Sequence, residues 1–142
     1  FDNLPKKFEN MITVGRLDYD SEGLLLMTNN GDIKRKMELP NNNWKRIYRV
    51  RVYGKVNKDI VLKLRKGLKI KTIQYKPIDA KIDNESNSYT WLTMSLTEGK
   101  NREIRNIFEY FGMSVTRLIR VAYGPYKLNN LIKGEVAKIK LI

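Results

Sequence analysis

With 142 residues the chain suffices for one domain with a real core, and its 28 basic against 15 acidic residues give a net charge of +13. It has no cysteine, which excludes disulfides and thiolate metal sites, and no histidine, which excludes Ser-His-Asp and Cys-His catalysis and imidazole-bound zinc. So basic a surface attracts polyanions, nucleic acid first and an anionic membrane second; no apolar run approaches the roughly 20 residues of a spanning helix and none reads as a signal peptide, so a cytoplasmic location is expected.

Residues 1–11 are polar and irregular, with a turn at Leu4-Pro5. Short strands are predicted over Ile12–Val14 and Gly23–Thr28, flanking a turn that carries Asp18. Turn chemistry beside a buried strand can hold one reactive side chain at a sheet rim. A solvated turn aspartate is the plainer reading of that spacing alone. Asn29-Asn30-Gly31-Asp32 is a strong turn signal, and Asp32 is predicted to cap a short helix running to about Leu39, before Pro40. Lys34, Arg35 and Lys36 on it form either a solvated face or a phosphate contact.

Arg46–Tyr53 alternates with a period of two, placing Tyr48, Val50 and Val52 on the inward face of a half-buried strand. By that period Tyr48 is a core tyrosine. Asn57 is the predicted N-cap of a helix to about Lys66, with Ile60, Val61, Leu64 and Leu68 inward and Gly67 as its stop. Residues 70–83 and 88–97 read as two strands of a hairpin around Asn84-Glu85-Ser86-Asn87. In residues 101–111, Ile104, Ile107, Phe108 and Phe111 fall at i, i+3, i+4 and i+7, an amphipathic helix ended by Gly112. Lys100, Arg102 and Arg105 crowd its first turns, where the dipole disfavours cations, so a bound anion or a nearby carboxylate is implied. Val115–Tyr123 is another alternating strand, Gly124-Pro125 a turn, and Val136–Leu141 a last short strand. Strands and helices without a βαβ rhythm predict an α+β fold with a mixed, mainly antiparallel sheet in one domain over 1–142.

Two stretches together are recognisable. Gly15-Arg16-Leu17-Asp18 with Ser21-Glu22-Gly23-Leu24-Leu25-Leu26-Met27-Thr28-Asn29 resembles the catalytic motif of bacterial ribosomal RNA pseudouridine synthases of the RsuA/RluB type. Glu98-Gly99-Lys100-Asn101-Arg102-Glu103-Ile104-Arg105 resembles that family's second signature. Leu118-Ile119-Arg120-Val121, Tyr123-Gly124-Pro125 and Leu131 through Gly134-Glu135 match as well, in order, over essentially the whole chain. The resemblance implies the pseudouridine synthase catalytic-domain fold. It makes Asp18 the catalytic carboxylate, Arg105 its ion-pair partner and Tyr48 the tyrosine stacked on the target uracil. Ile104 would support the base from its other side, and Arg16 would help expel the uridine from its helix. Lys100 and Arg102 would meet backbone phosphate. Without the resemblance, Arg105 reads as a surface helix arginine and Ile104 as core.

The implied reaction breaks the N1–C1′ bond of uridine, turns the base and joins C5 to C1′, with no redox change, so no cofactor or metal is expected. A carboxylate can act at C1′, as in retaining glycosidases, or attack the base. The target must be flipped out of its helix at a cost of a few kcal/mol, which stacking worth roughly 1–3 kcal/mol per base would offset. The picture is of a lone acid in a positively charged groove. Lys100-Asn101-Arg102-Glu103 resembles the large-subunit (RluB-like) branch more than the small-subunit branch. Family members usually begin with an S4 domain and a Lys-Pro-x-Gly strand segment, and Phe1-Asp2-Asn3-Leu4-Pro5 resembles the segment just before the catalytic motif. A partial catalytic domain is therefore expected, with self-association through an exposed sheet edge. The alternative of a different class is a non-catalytic, ribosome-associated RNA-binding module. A peripheral membrane protein ranks last, because the stripe of helix 101–111 suits packing on a sheet.

Overall fold

The computed structural model describes residues 10–15, 17–18, 20–39, 44–100 and 102–128. Arg16 and the strand predicted over Val136–Leu141 lie outside the described residues, as do Leu131, Gly134 and Glu135.

Strand β1 (Ile12–Val14) pairs antiparallel with β3 (Leu26–Thr28), Val14 opposite Leu26. Between them, β2 (Glu22–Gly23) leaves the ribbon and runs parallel to β9 (Val115–Tyr123). The single strand predicted from Gly23 to Thr28 is thus broken in two. Gly23 causes the break: it has φ +108°, and a Cβ there would sit 2.2 Å from the Arg120 carbonyl oxygen. Only glycine lets the backbones approach so closely and then turn back toward β1.

Helix α1 (Gly31–Glu38) is capped by Asn30, not Asp32: Asn30 Oδ1 accepts from the amides of Asp32 at 2.9 Å and Ile33 at 3.3 Å. Asp32 lies inside the first turn and pairs with Arg35. The cap belongs to the last residue with extended backbone, which is Asn30.

Strand β4 (Arg46–Tyr53) lies at the centre of the sheet, antiparallel to both β8 (Tyr89–Leu96) and β9. Val50 and Val52 are fully buried, as the alternation requires. Helix α2 (Lys58–Lys66) starts at its Asn57 cap and ends at Gly67, as predicted. The strand predicted over 70–83 is instead a small ribbon of β5 (Leu68–Ile70) and β6 (Ile73–Tyr75), followed by β7 (Asp79–Glu85). Lys71 at φ +57° reverses the chain, and Pro77, lacking an amide hydrogen, separates β6 from β7. Strands β7 and β8 form the expected antiparallel hairpin.

Helix α3 (Glu103–Tyr110) buries Ile104, Ile107 and Phe108. After β9, Gly124-Pro125 turns the chain into β10 (Tyr126–Lys127). Among the described residues the main sheet has the order β10-β9-β4-β8-β7, with β2 on the β10 side of β9. All its pairings are antiparallel except β2–β9. The fold is α+β, as expected. The main core packs Val50, Val52, Leu92 and Met94 of the sheet against Leu64 of α2 and Ile107 and Phe108 of α3. A second cluster gathers Val14, Leu24, Leu26, Tyr123 and Tyr126. No helix among the described residues is long and apolar enough to cross a membrane.

Candidate active site

A cleft of about 320 Å³ is lined by residues of both cores, Tyr123 of the second and Leu96, Ile104 and Leu118 of the main one with Tyr48 packed on it, and by Asp18. Four of the sequence-predicted site residues besides Asp18 line it: Tyr48, Lys100, Arg102 and Ile104. Asp18 is half-buried in a turn closed by the Ser21 amide, which donates to the Asp18 carbonyl at 2.9 Å. Tyr48 is carried by β4, half-buried against the main core. The period-two placement and a place on the cleft wall are therefore both realised. Ile104, 4 % exposed, belongs to core and cleft alike.

Arg105 does not line the cleft, and its partner differs from the expected one. Its Nη2 donates to the Asp20 carbonyl at 2.6 Å, its Nε lies 3.3 Å from Asp20 Oδ2, and its Nη1 donates to the Val115 carbonyl at 3.1 Å. Asp20, not Asp18, forms the ion pair. The tight turn accounts for this: Asp18 stands on its cleft side, while Asp20, two residues on, meets α3. Arg102 also goes to Asp20, Nη1 to Oδ1 at 3.1 Å and Nη2 to Oδ2 at 2.9 Å. Hydrogen bonding from Arg102 outweighs burial and, with the charges of Arg105 and Arg102, holds the Asp20 carboxyl below its usual range. The nearby carboxylate that the cationic helix start implied is therefore present. Lys100 is exposed, and its ammonium pairs with Glu98.

The cleft is also not a basic groove around one acid. Asp18 shares it with Glu38, Glu98 and Glu103, against Arg46, Lys100, Arg102 and Arg120. Glu38 accepts from the Gly15 amide at 2.6 Å and from Lys34 Nζ at 2.6 Å, fixing the start of the Asp18 loop. The Lys34 hydrogen bond, against burial and helped by the Gly15 amide, holds the Glu38 carboxyl low. Glu103 is 4 % exposed; burial first, then the negative charge of Glu98, push its carboxyl up to about 8, so it is mostly protonated at neutral pH. With Glu103 neutral, the lining is nearly balanced. The long-range pull on a polyanion therefore comes from the wider surface.

Sequence reasoning missed Asp20, Glu38, Glu103 and Arg120. Arg120 had a legible signal: it shares the inward parity of Leu118 and Ala122 along β9, and it is 1 % exposed. Its Nε donates to the Leu24 carbonyl at 2.9 Å, and its guanidinium lies 5.1 Å from the Tyr123 ring centre. Asp20 had one too, an acid two residues from Asp18 in a basic chain. Glu103 had one as well, lying in the second signature stretch between Arg102 and Ile104; Glu38 had none, because only tertiary packing brings it to the cleft.

A family model described as RNA pseudouridylate synthase matches residues 2–110. An uncharacterized RNA pseudouridine synthase of Rickettsia felis is 51% identical over 130 residues, 91% of this chain and 56% of the relative. The ribosomal large subunit pseudouridine synthase B of Buchnera aphidicola (subsp. Schizaphis graminum) is 40% identical over 139 residues, 95% of this chain and 54% of the relative. The chain spans just over half the length of the curated relatives it matches. A crystal structure of pseudouridylate synthase superposes with a TM-score of 0.81 at 22% identity, covering 94% of this chain and 58% of that one. The archaeal box H/ACA sRNP Nop10-Cbf5 complex gives 0.59 at 18% identity, over 84% and 40%. At these identities the two structures speak for the fold alone.

Proposed function

The chain belongs to the RNA pseudouridylate synthase family, and on that premise we propose that this protein isomerises one uridine of large-subunit ribosomal RNA to pseudouridine, residues 1–142 being part of its catalytic domain. The observation that carries this reading is the meeting of Asp18, Tyr48 and Ile104, far apart in sequence, on the walls of one cleft of nucleoside size. The large-subunit assignment rests on the similarity to synthase B of Buchnera and on Lys100-Asn101-Arg102-Glu103. A cytoplasmic location accords with such a substrate.

In the proposed mechanism the uridine is flipped into the cleft, where Tyr48 stacks on the base and Ile104 supports its other side. Asp18 acts at the ribose C1′ or on the uracil ring, and the N1–C1′ bond breaks. The base turns, C5 bonds to C1′, and the hydrogen on C5 leaves as a proton, with Tyr48 available to accept it, while N1 gains one. Atoms and electrons balance without an oxidant or an energy source. Arg105 serves this site through Asp20 rather than by touching Asp18.

The test is release of tritium from C5-labelled uridine in a large-subunit RNA transcript by the full-length protein, which Asp18→Asn should abolish while leaving RNA affinity within about twofold. A wild-type protein that binds the transcript and releases no tritium would be the non-catalytic RNA-binding module instead.

A further inference from the structure

The clamp on Asp20 has a consequence for Asp18. Both carboxylate oxygens of Asp20 are held by the Arg102 fork at 3.1 and 2.9 Å, and its main-chain oxygen accepts from Arg105 at 2.6 Å. Arg105 in turn reaches the Val115 carbonyl at 3.1 Å, so one side chain joins the Asp18 turn, α3 and the first residue of β9. Arg102 supplies its fork from a left-handed backbone, φ +51°, a conformation a non-glycine residue adopts at a cost. A bidentate guanidinium–carboxylate pair fixes direction as well as distance, which a single contact does not. Asp20 is joined to Asp18 through a turn of one intervening residue, closed by Ser21 N to Asp18 O at 2.9 Å. Whatever holds Asp20 therefore constrains the backbone turn that carries Asp18.

We infer that Asp20 is a positioning residue: the Arg102–Asp20–Arg105 clamp locks the Asp18 turn onto α3 and so aims the Asp18 carboxylate into the cleft. The inference rests on the proposed isomerase function for its catalytic consequence, while the clamp itself does not. It makes the two signature stretches one mechanical unit, although no ion pair joins Asp18 to Arg105. It also reassigns Arg102, which the family resemblance directed to phosphate, to holding the loop.

Two readouts on the full-length protein test this. In Asp20→Ala, amide hydrogen exchange across residues 17–24 should quicken at least tenfold, with exchange in β8 unchanged, which separates local release from unfolding. Turnover on the RNA transcript should fall roughly 10- to 100-fold with KM and RNA affinity within twofold of wild type. Asp20→Asn keeps one acceptor oxygen for the fork and should recover part of both losses. Unchanged exchange, unchanged turnover, or a loss of RNA affinity as large as the loss of turnover would each overturn the positioning role. If the wild-type protein itself makes no pseudouridine, the isomerase function fails, and the exchange measurement still decides the clamp.

Discussion

Replacing Glu103 by glutamine should flatten the pH dependence of stability between pH 5 and 8. Glu103 is buried at the start of α3; its Oε1 accepts from the Lys100 amide at 3.3 Å, and Oε2 meets no hydrogen-bond donor among the described residues. Burial and the facing Glu98 raise its carboxyl to about 8 from an ordinary 4.5. Between these two values the unfolded chain has lost a proton that the folded chain keeps. The stability that Glu103 contributes is therefore full below about pH 4.5 and declines as the pH rises toward 8, levelling off above. At about 1.4 kcal/mol per pH unit, the decline from pH 5 to 8 is on the order of 3 kcal/mol. Lys100 stays charged throughout, and Asp20 and Glu38, both held low, titrate below the window. Glutamine keeps the acceptor for Lys100 and offers an N–H to Glu98, with nothing to ionise. Urea unfolding at constant ionic strength, at pH 5, 6, 7 and 8, should show the wild type losing stability and Glu103→Gln level. Parallel profiles for the two proteins would refute the assignment of a proton to Glu103.

Other substitutions report on the parts of the fold that hold the site. Gly23→Ala drives a methyl group into the Arg120 carbonyl and should cost about 3 kcal/mol or more, read by chemical denaturation. Asn57→Ala removes the cap that accepts from Ile60 N at 3.0 Å; a loss of about 1 kcal/mol is expected by the same method. Phe108→Ala, at a fully buried position, should lower stability by about 3–5 kcal/mol and the melting temperature with it. Arg105→Ala should reduce turnover much more than RNA affinity, since its guanidinium is held by Asp20 and Val115; equal losses in steady-state kinetics and in binding would make it a phosphate contact.

Local chemistry was legible where it decides structure locally. The alternation of Arg46–Tyr53 gave both the strand and the inward face of Tyr48, and Asn57 and Gly67 bracketed α2, because period and capping act within one element. What the sequence concealed depends on distant backbone. Gly23 breaks its strand because Arg120, almost a hundred residues on, lies against it. Residues 70–83 split because Lys71 takes a left-handed turn, which a lysine does not advertise. In the site, the family resemblance led to the cleft but paired Arg105 with the wrong aspartate, since a four-residue turn separates the directions of Asp18 and Asp20. The image of a lone acid failed for a related reason: Glu38, Glu98 and Glu103 reach the cleft from separate elements.

The most direct measurement is pseudouridine mapping of large-subunit ribosomal RNA from cells whose sole copy of this protein carries Asp18→Asn. One uridine modified in the wild type should remain uridine in the variant, with the protein present at normal level and still bound to RNA. A pseudouridine pattern identical in the two strains would contradict the assignment of Asp18 as the catalytic carboxylate.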